Sequence, residues 1–359
     1  MQFGVQFFPD VRPEEKSAEQ YFQEALDLAE EADRLGFSHI RIVEHYFHHY
    51  GGYSPNPVVF LAAAAQRTRR ARLVTGAVLP AFNHPLKLAG EIAMLDALSR
   101  GRLDVGFARA FLPHEFRRFG VSPDQSVARF REGIEQVDLL LSRENVTHRG
   151  RFHQIENTTS LPRPTQQPRP KFYVAALNTP ESFEFAGRMG YAVMAIALVA
   201  EKMRPLLAAY REAWKAAGHP GPGEVMIAFH MYCERDGERA RAFATPLIDA
   251  YLESLVEAAS DWLDGRGSQD YPGYDKIIAA LRASNAAEQI ASGGAWAGSP
   301  DEIAATIARL QHEFGGFEHA SLQVNFNTMP YAEALASMRL FAQEVMPRFH
   351  GAIEPRKPS

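Results

Sequence analysis

The sequence is poor in the features that mark secreted and membrane proteins. It has a single cysteine, Cys233, in 359 residues, which excludes an intramolecular disulfide and a cysteine cluster for zinc. No apolar run reaches the roughly 18 residues of a membrane-spanning helix. The first residues lack the basic and long apolar regions of a signal peptide. We therefore expect a cytoplasmic protein that does not bind a membrane.

Long stretches with charge of one sign are also missing. The formal net charge is -5, and the densest basic run consists of Arg67, Arg69, Arg70 and Arg72. We interpret this run as the solvated end of a helix, where cations are favourable. Without a basic patch, the sequence predicts no binding to nucleic acid.

What the chain does have is a regular alternation of short apolar runs and longer helical patterns. Hydrophobic residues make up 46% and charged residues 23%, as in ordinary globular proteins. Eight candidate strands lie at residues 3–8, 39–43, 73–79, 103–107, 172–176, 192–196, 225–232 and 320–324. Eight strands alternating with helices predict an α/β fold of the (β/α)8 TIM-barrel type. No G-x-G-x-x-G motif follows the first strand, which counts against an open dinucleotide-binding sheet.

Two stretches interrupt the alternation, near residues 145–170 and 265–298. The first contains a hairpin-like pattern and a proline-rich connector, and the second is rich in glycine. We expect one domain over residues 1–359 with both stretches as insertions. The second is expected to be a lid over the active site, with a disordered spacer as the alternative.

The residues after the second predicted strand include Glu44, His45, His48 and His49. The carboxyl ends of barrel strands carry the chemistry of this fold, and histidine titrates near neutral pH. We therefore predict that His45 donates or accepts a proton; a hydrogen-bonded histidine at the barrel rim is the alternative. A metal site is the weaker interpretation, because the first strand does not end in the paired-histidine motif of metallohydrolase barrels.

Two further strand ends carry groups suited to a phosphate. Arg109 follows the fourth strand among small and apolar residues, and a buried arginine needs an anionic partner. Asn178, Thr179 and Ser182 follow the fifth strand at a predicted helix start, which offers free backbone amides. Thr179 alone is equally explained as a helix cap. Together these residues predict a phosphorylated cofactor.

The third predicted strand contains three small residues, Thr75, Gly76 and Ala77. Small side chains let a planar ring approach the barrel wall closely. Simple core packing explains the same residues, and the pattern does not choose between the two.

The chain resembles the luciferase-like flavin-dependent monooxygenase family, and the resemblance covers nearly its whole length. The segments that carry it are residues 44–47, 75–80, 84–85, 95–102, 106–109, 178–187 and 298–303. The resemblance implies a luciferase-like barrel that binds FMN at the carboxyl ends of its strands. The implied cofactor-binding residues are Glu44, Thr75, Gly76, Ala77, Arg109, Ala110, Phe111, Ala176, Asn178, Thr179 and Ser182. The family's non-prolyl cis peptide would fall at Thr75-Gly76 or Gly76-Ala77.

The resemblance also implies a reaction. FMNH2 from a separate NAD(P)H-dependent flavin reductase would react with O2 as co-substrate to give a flavin C4a-hydroperoxide, which oxygenates a hydrophobic small molecule such as an aldehyde, ketone or polycyclic metabolite. His45 would be the catalytic acid or base, and a homodimer is expected. The luciferase α subunit has a reactive cysteine where this chain has Ala108, so we expect a non-luminescent oxygenase.

An aromatic rim favours a hydrophobic substrate. Its expected members are Phe8, Phe47, Tyr50, Tyr53, Phe82 and Phe111. Three alternatives share the barrel: an enzyme that uses deazaflavin F420 for hydride transfer, a flavin-binding protein without catalysis, and a metal-dependent hydrolase.

Overall fold

The computed structural model describes residues 1–263 and 268–349. The strands are Gln2–Phe7 (β1), His39–Ile42 (β2), Arg72–Val78 (β3), Leu103–Phe107 (β4), Val146–Arg149 (β5), Gln154–Thr158 (β6), Lys171–Ala175 (β7), Ala192–Ile196 (β8), Val225–Cys233 (β9), Ala295–Gly298 (β10) and His319–Gln323 (β11). The parallel order β9-β11-β1-β2-β3-β4-β7-β8 closes on itself, because β8 also pairs with β9. The (β/α)8 barrel predicted from the alternation is therefore confirmed.

The strands are separated by helices that cover the outside of the barrel. The helices are Ala18–Leu35 (α1), Pro57–Arg67 (α2), Pro85–Leu98 (α3), Pro113–Phe119 (α4), Ser126–Ser142 (α5), Pro180–Met189 (α6), Ala200–Ala216 (α7), Gly237–Ala259 (α8), Tyr274–Ala283 (α9), Ala286–Ser292 (α10), Pro300–Phe314 (α11) and Tyr331–Glu344 (α12). Among the helices of the described residues, none combines the length and the apolar character that a bilayer-spanning segment requires.

Successive side chains of each strand point alternately toward the surrounding helices and toward the barrel lumen. Phe3, Val5 and Phe7 of β1 belong to the large apolar cluster that joins the barrel wall to the helices. The intervening side chain of Gln6 is buried but lies outside that cluster. A smaller apolar cluster, which includes Val74, Ala77, Tyr173, Ala192, Met194 and Met226, fills one side of the barrel lumen.

Both insertions contain regular secondary structure in their described residues. The first contains the expected hairpin, in which β5 pairs antiparallel with β6. The second contains α9, α10 and β10, and β10 pairs with β9 as a ninth strand of the sheet, a strand that the sequence did not predict. Residues 265–267 of this insertion, including Gly265 and Gly267, lie outside the described residues, as do residues 350–359.

The basic run lies at the end of α2, as expected, and Arg69 and Arg70 are exposed there, but its first and last members form ion pairs. Arg67 ends α2 and bonds to Asp27 and Glu30 of α1. Arg72 lies on β3 and forms an ion pair with the buried Asp104 of β4. These arginines tie neighbouring elements together, because carboxylates from other elements lie within hydrogen-bond reach of them.

Candidate active site

The carboxyl ends of β2, β3, β4 and β7 bring the predicted site residues to one end of the barrel. These four strands are consecutive neighbours in the sheet and run parallel. The segments that follow them therefore emerge side by side, at the end where barrel enzymes place their chemistry.

His45 forms a buried pair with Glu115, a residue that sequence reasoning missed. The Nδ1 atom of His45 lies 3.1 Å from Oε1 of Glu115, and the same oxygen accepts the backbone amide of Tyr46 at 2.9 Å. Glu115 is fully buried in α4, 70 positions along the chain from His45. A single glutamate in a short helix gives no local signal, so this partner depends on the tertiary fold.

The pair fixes the orientation of the imidazole. A carboxylate is an acceptor, so Nδ1 of His45 carries the hydrogen and donates to Glu115. No described residue forms a hydrogen bond with the other ring nitrogen, Nε2, which is left to accept or deliver a proton. The imidazole therefore has one nitrogen held by the protein and one available for chemistry.

Aromatic rings surround this histidine. The ring of His45 lies 5.5 Å from that of Phe8, 5.5 Å from that of Tyr50 and 5.9 Å from that of Phe111, measured between centroids. These three members of the predicted rim are brought together.

In the part of the chain that the structure describes, the other predicted rim residues have no direct ring contact with His45, although Phe82 packs against the same apolar cluster as Phe8 and Tyr50. Phe47 and Phe82 pack against Phe119 in a separate aromatic cluster, and Phe47 is 55% exposed. The hydroxyl of Tyr53 donates to the carbonyl of Lys16. Many aromatic residues lie near the barrel mouth. Residue type alone therefore did not distinguish the rings that contact His45 from those that contact Phe119.

Glu44 is buried and connects β2 to the end of β3. Its Oε1 accepts from the Tyr46 hydroxyl at 2.6 Å and from Nδ2 of Asn83 at 3.0 Å, while Oε2 accepts from the Leu79 amide at 3.3 Å. Burial raises the pKa of Glu44 to about 8, although these hydrogen bonds act in the opposite direction. A cavity of about 230 Å³, lined in part by Tyr46, Asn83 and Phe119, lies next to the carboxyl group.

The three small residues of β3 have different surroundings. The Thr75 hydroxyl bridges to β4, since it donates to the Gly106 carbonyl and accepts from the Gly106 amide. The peptide bond between Gly76 and Ala77 is cis, which decides between the two expected positions. Ala77 faces the lumen cluster, and the Gly76 carbonyl accepts from Nη2 of Arg41 at 3.2 Å.

The segment after β4 is held by the second insertion. The guanidinium of Arg109 lies 4.8 Å from the ring centre of Tyr271, and its Nη1 donates to the Asp270 carbonyl at 3.1 Å. The Tyr271 hydroxyl donates to the Ala110 carbonyl at 2.6 Å. Trp262, which precedes the insertion, donates to the Phe111 carbonyl at 2.8 Å. The backbone carbonyls of residues 109–111 therefore accept hydrogen bonds from side chains in or next to the second insertion.

The residues after β7 surround the start of α6. The Thr179 hydroxyl lies 2.8 Å from that of Ser182 and does not cap the helix, although Thr179 occupies the N-cap position. Asn178 is exposed, and the amide of the buried Ala176 donates to the Met194 carbonyl. Arg109 makes no hydrogen bond to Thr179 or Ser182 within the described part of the chain. The two halves of the predicted phosphate site lie on adjacent strands without a direct side-chain contact.

The histidines after β2 do not act together. His48 and His49 lie with Glu257 in a group whose ligand atoms are within 4.8 Å of one another. Burial and the neighbouring His49 lower the pKa of His48 to about 4. His45 instead faces Glu115, so a metal site made of all three histidines is not formed.

The donor set is compatible with a flavin mononucleotide. A helix start without a side-chain cap, two adjacent hydroxyls and one arginine on the neighbouring strand are groups that bind phosphate. Ala77, Ala108 and Ala175 line the lumen on the same side. Because their side chains are small, they leave space next to the barrel wall. The arrangement thus places phosphate-binding groups beside a surface that a planar ring can approach.

Comparison with known proteins identifies close relatives. A family model described as "Luciferase-like monooxygenase" matches residues 1–316. The oxygenase component of a flavin-dependent trigonelline monooxygenase from Acinetobacter baylyi is 34% identical over 251 residues, which is 69% of each chain. The crystal structure of the monooxygenase RslO1 from Streptomyces bottropensis is 46% identical, has a TM-score of 0.86 and covers 97% of this chain and 100% of its own.

More distant matches use different cofactors. The oxygenating constituent of 3,6-diketocamphane monooxygenase from Pseudomonas putida, a type II Baeyer-Villiger monooxygenase in complex with FMN, is 22% identical with a TM-score of 0.78, over 97% of this chain and 98% of that one. At this identity the likeness shows the fold alone. An F420-dependent glucose-6-phosphate dehydrogenase from Kineococcus radiotolerans is 28% identical over 303 residues, 81% of this chain and 85% of that protein.

Proposed function

Because this chain belongs to the luciferase-like monooxygenase family, and a relative 34% identical to it is named the oxygenase component of a flavin-dependent monooxygenase, we propose that it is the FMNH2-dependent oxygenase component of a two-component system. Its substrates are FMNH2, O2 and a hydrophobic small molecule. The observation that carries the proposal is the buried His45–Glu115 pair next to three aromatic rings at the carboxyl end of the barrel.

The cofactor residues are those at the strand ends. Arg109, Thr179 and Ser182, with the amides of α6, would hold the FMN phosphate. Gly76 and Ala77 would line the ring. When bound, reduced FMN would supply the electrons with which O2 is activated.

His45 is proposed as the acid or base of the reaction. Glu115 holds Nδ1, so that Nε2 carries the proton that moves during oxygen transfer. Phe8, Tyr50 and Phe111 give the imidazole largely apolar neighbours, which would limit the access of water once a substrate is bound.

The second insertion is proposed as the cover of the site. Its residues Asp270 and Tyr271 already contact Arg109 and Ala110, which belong to the predicted phosphate site. Movement of this insertion would admit FMNH2. The chain would act as one domain over residues 1–359, in the cytoplasm, as a homodimer served by a separate flavin reductase.

Anaerobic titration tests the choice of cofactor. FMNH2 and reduced F420 are each titrated into the protein while the heat of binding is followed by calorimetry, and the complexes are then mixed with O2. We expect tight binding of FMNH2 and weak binding of F420. Preference for F420, with no change in the rate at which FMNH2 is reoxidised, would move the assignment to hydride transfer.

Replacement of His45 tests its role separately from binding. We expect His45→Ala to keep its affinity for FMN and to lose about 100-fold or more in the rate of substrate oxygenation. His312→Ala, which changes an exposed histidine of α11, is the matched control. A His45→Ala variant with the full oxygenation rate would remove His45 from the chemistry.

A further inference from the structure

Four polar side chains form one layer across half of the barrel mouth. In the register of the sheet, Gln6 of β1 pairs with Arg41 of β2 on one side and with Gln323 of β11 on the other. Gln323 in turn pairs with His230 of β9. The four residues therefore stand at the same height on consecutive strands, and we call them the polar layer.

All four residues of the polar layer have buried polar atoms without a partner among the described residues. These atoms are Oε1 of Gln6, Nε and Nη1 of Arg41, Nε2 of His230 and Nε2 of Gln323. The side chains of β1, β2, β9 and β11 that precede or follow them pack outward against the helices, so the polar layer faces the lumen. A buried polar group without a hydrogen bond costs about 1–3 kcal/mol, and four such residues in one layer indicate a site for a polar ligand.

Arg41 gives this site its charge. It is 8% exposed, and its one hydrogen bond within the described residues goes to the Gly76 carbonyl rather than to a carboxylate. Burial lowers the pKa of Arg41 to about 10, so the guanidinium stays positive at neutral pH. Burial also lowers the pKa of His230 to about 4, which leaves its imidazole neutral. The polar layer thus carries one positive charge and two neutral amides.

The barrel wall makes room for the guanidinium. A Cβ atom on Gly76 would lie 2.1 Å from Nε of Arg41, so any larger residue would displace the arginine. Glycine at this position is therefore matched to Arg41 on the neighbouring strand.

A row of aromatic rings connects the polar layer to His45. The ring of Tyr251 lies 4.5 Å from that of His230 and 5.3 Å from that of Phe8, and Phe8 lies 5.5 Å from His45. Arg41 precedes His45 by four residues, so their backbones are at most about 14 Å apart. A molecule of one to three fused rings with a charged group at one end is short enough to fit within this limit.

We propose that the polar layer binds the ionised oxygen of an aromatic substrate, a carboxylate or a phenolate, whose ring system extends along Tyr251 and Phe8 toward His45. This inference rests on the proposed function, because it names the substrate class of that site. Arg41 donates from Nε and Nη1 to the anionic oxygen, and the amide of Gln323 donates a further hydrogen bond. Gln6 accepts from a hydroxyl neighbouring the charged group.

A matched pair of probes tests this assignment. 2-Naphthoate and the neutral 2-naphthamide, which have the same ring system, are titrated into the protein with and without FMN, and binding is followed by calorimetry. We expect the wild-type protein to bind the carboxylate about tenfold more tightly than the amide, which corresponds to one charge-assisted hydrogen bond. Arg41→Gln should abolish this preference, and Arg41→Lys should retain part of it.

Separate titrations of each variant with FMN distinguish the possible failures. We expect Arg41→Gln to keep the FMN affinity of the wild-type protein and to melt at the same or a higher temperature, since it removes a buried unpaired charge. Equal binding of the two probes by the wild-type protein would overturn the inference. Loss of FMN binding in Arg41→Gln, with the probe preference intact, would also overturn it and assign Arg41 to the flavin. A wild-type protein that binds no FMN would instead refute the proposed function.

Discussion

Two ionisable side chains near the barrel mouth, Arg41 and Glu44, are buried three positions apart and satisfied to different degrees. Glu44 accepts hydrogen bonds from a hydroxyl, an amide side chain and a backbone amide. Among the described residues, Arg41 has one hydrogen-bond partner, a carbonyl. Because burial penalises charge in both, the pKa of Glu44 rises and that of Arg41 falls. The carboxyl group can escape the penalty by taking up a proton, whereas the guanidinium stays charged and needs an anion.

The raised pKa of Glu44 predicts a specific dependence of stability on pH. Since the pKa is about 8 in the folded protein and near 4.5 in an ordinary environment, the folded protein binds more protons between these values. The stabilisation is complete below the lower value and is lost as the pH rises through the upper one, by about 1.4 kcal/mol for each pH unit between them. Glu44→Gln cannot titrate and should lack this loss.

Urea unfolding at pH 5.5 and pH 8 measures the effect as a difference between proteins. We expect the wild-type protein to lose stability relative to Glu44→Gln as the pH rises. Glu212→Gln, which changes an exposed glutamate of α7, should follow the wild-type curve. Parallel curves for the wild-type protein and Glu44→Gln would show that Glu44 is ionised in the folded protein throughout this range.

For individual residues, the sequence indicated which side chains lie at the site better than it indicated which residues contact them. The sequence placed His45, Glu44 and Arg109 near one another because polar residues at the ends of parallel strands converge in any barrel. Glu115, Tyr271 and the contacts between them and the site were not found, because they come from segments distant along the chain. The same reason explains why the sequence did not show that Phe82 packs on Phe119, although Phe82 shares an apolar cluster with Phe8 and Tyr50.

The helices show the same division between local and distant signals. Ser299 begins α11 with a reciprocal capping box, in which its side chain accepts the Glu302 amide and Glu302 accepts the Ser299 amide. Ser17 begins α1 and accepts the Gln20 amide, but the side chain of Gln20 donates to Glu24 instead of returning to Ser17. One helix start therefore has two capping bonds and the other has one.

Removal of the two caps should cost different amounts. We expect Ser17→Ala to lower the free energy of unfolding by about 1 kcal/mol, a typical cost for an N-cap serine. Ser299→Ala should cost more, because it also frees Glu302 from its place in the capping box. Thermal unfolding of both variants against the wild-type protein measures the difference, and an equal loss in the two would contradict a contribution from the reciprocal bond.

Among the strands, burial and composition decided what was predictable. The eight barrel strands are apolar runs bounded by helical patterns, and all were located to within a few residues. β10 escaped because Ala295–Gly298 has four residues, two of them small and one a glycine, which is not a strand-like composition. Its position is set by pairing with the carboxyl half of β9, a contact that no local pattern encodes.

On the scale of the whole molecule, α2 and α3 leave apolar side chains uncovered. Val59 of α2 is 68% exposed, and Leu86, Met94 and Leu98 of α3 are 38%, 51% and 46% exposed. α3 carries few charged residues, and its exposed side combines these apolar side chains with the Lys87–Glu91 ion pair. The barrel covers one side of α3, so the exposed side fits the homodimer that the family resemblance implies.

A charge in the middle of this surface should therefore separate the subunits. We expect Met94→Glu to shift the protein from dimer to monomer in sedimentation-velocity experiments, because association would bury an unpaired carboxylate. Met189→Glu is the matched control, since Met189 ends α6 and is exposed to a similar extent, 45%. Its sedimentation should be unchanged. Equal sedimentation of Met94→Glu and the wild-type protein as dimers would place the interface elsewhere, and a monomeric wild-type protein would leave the exposed side of α3 to another partner.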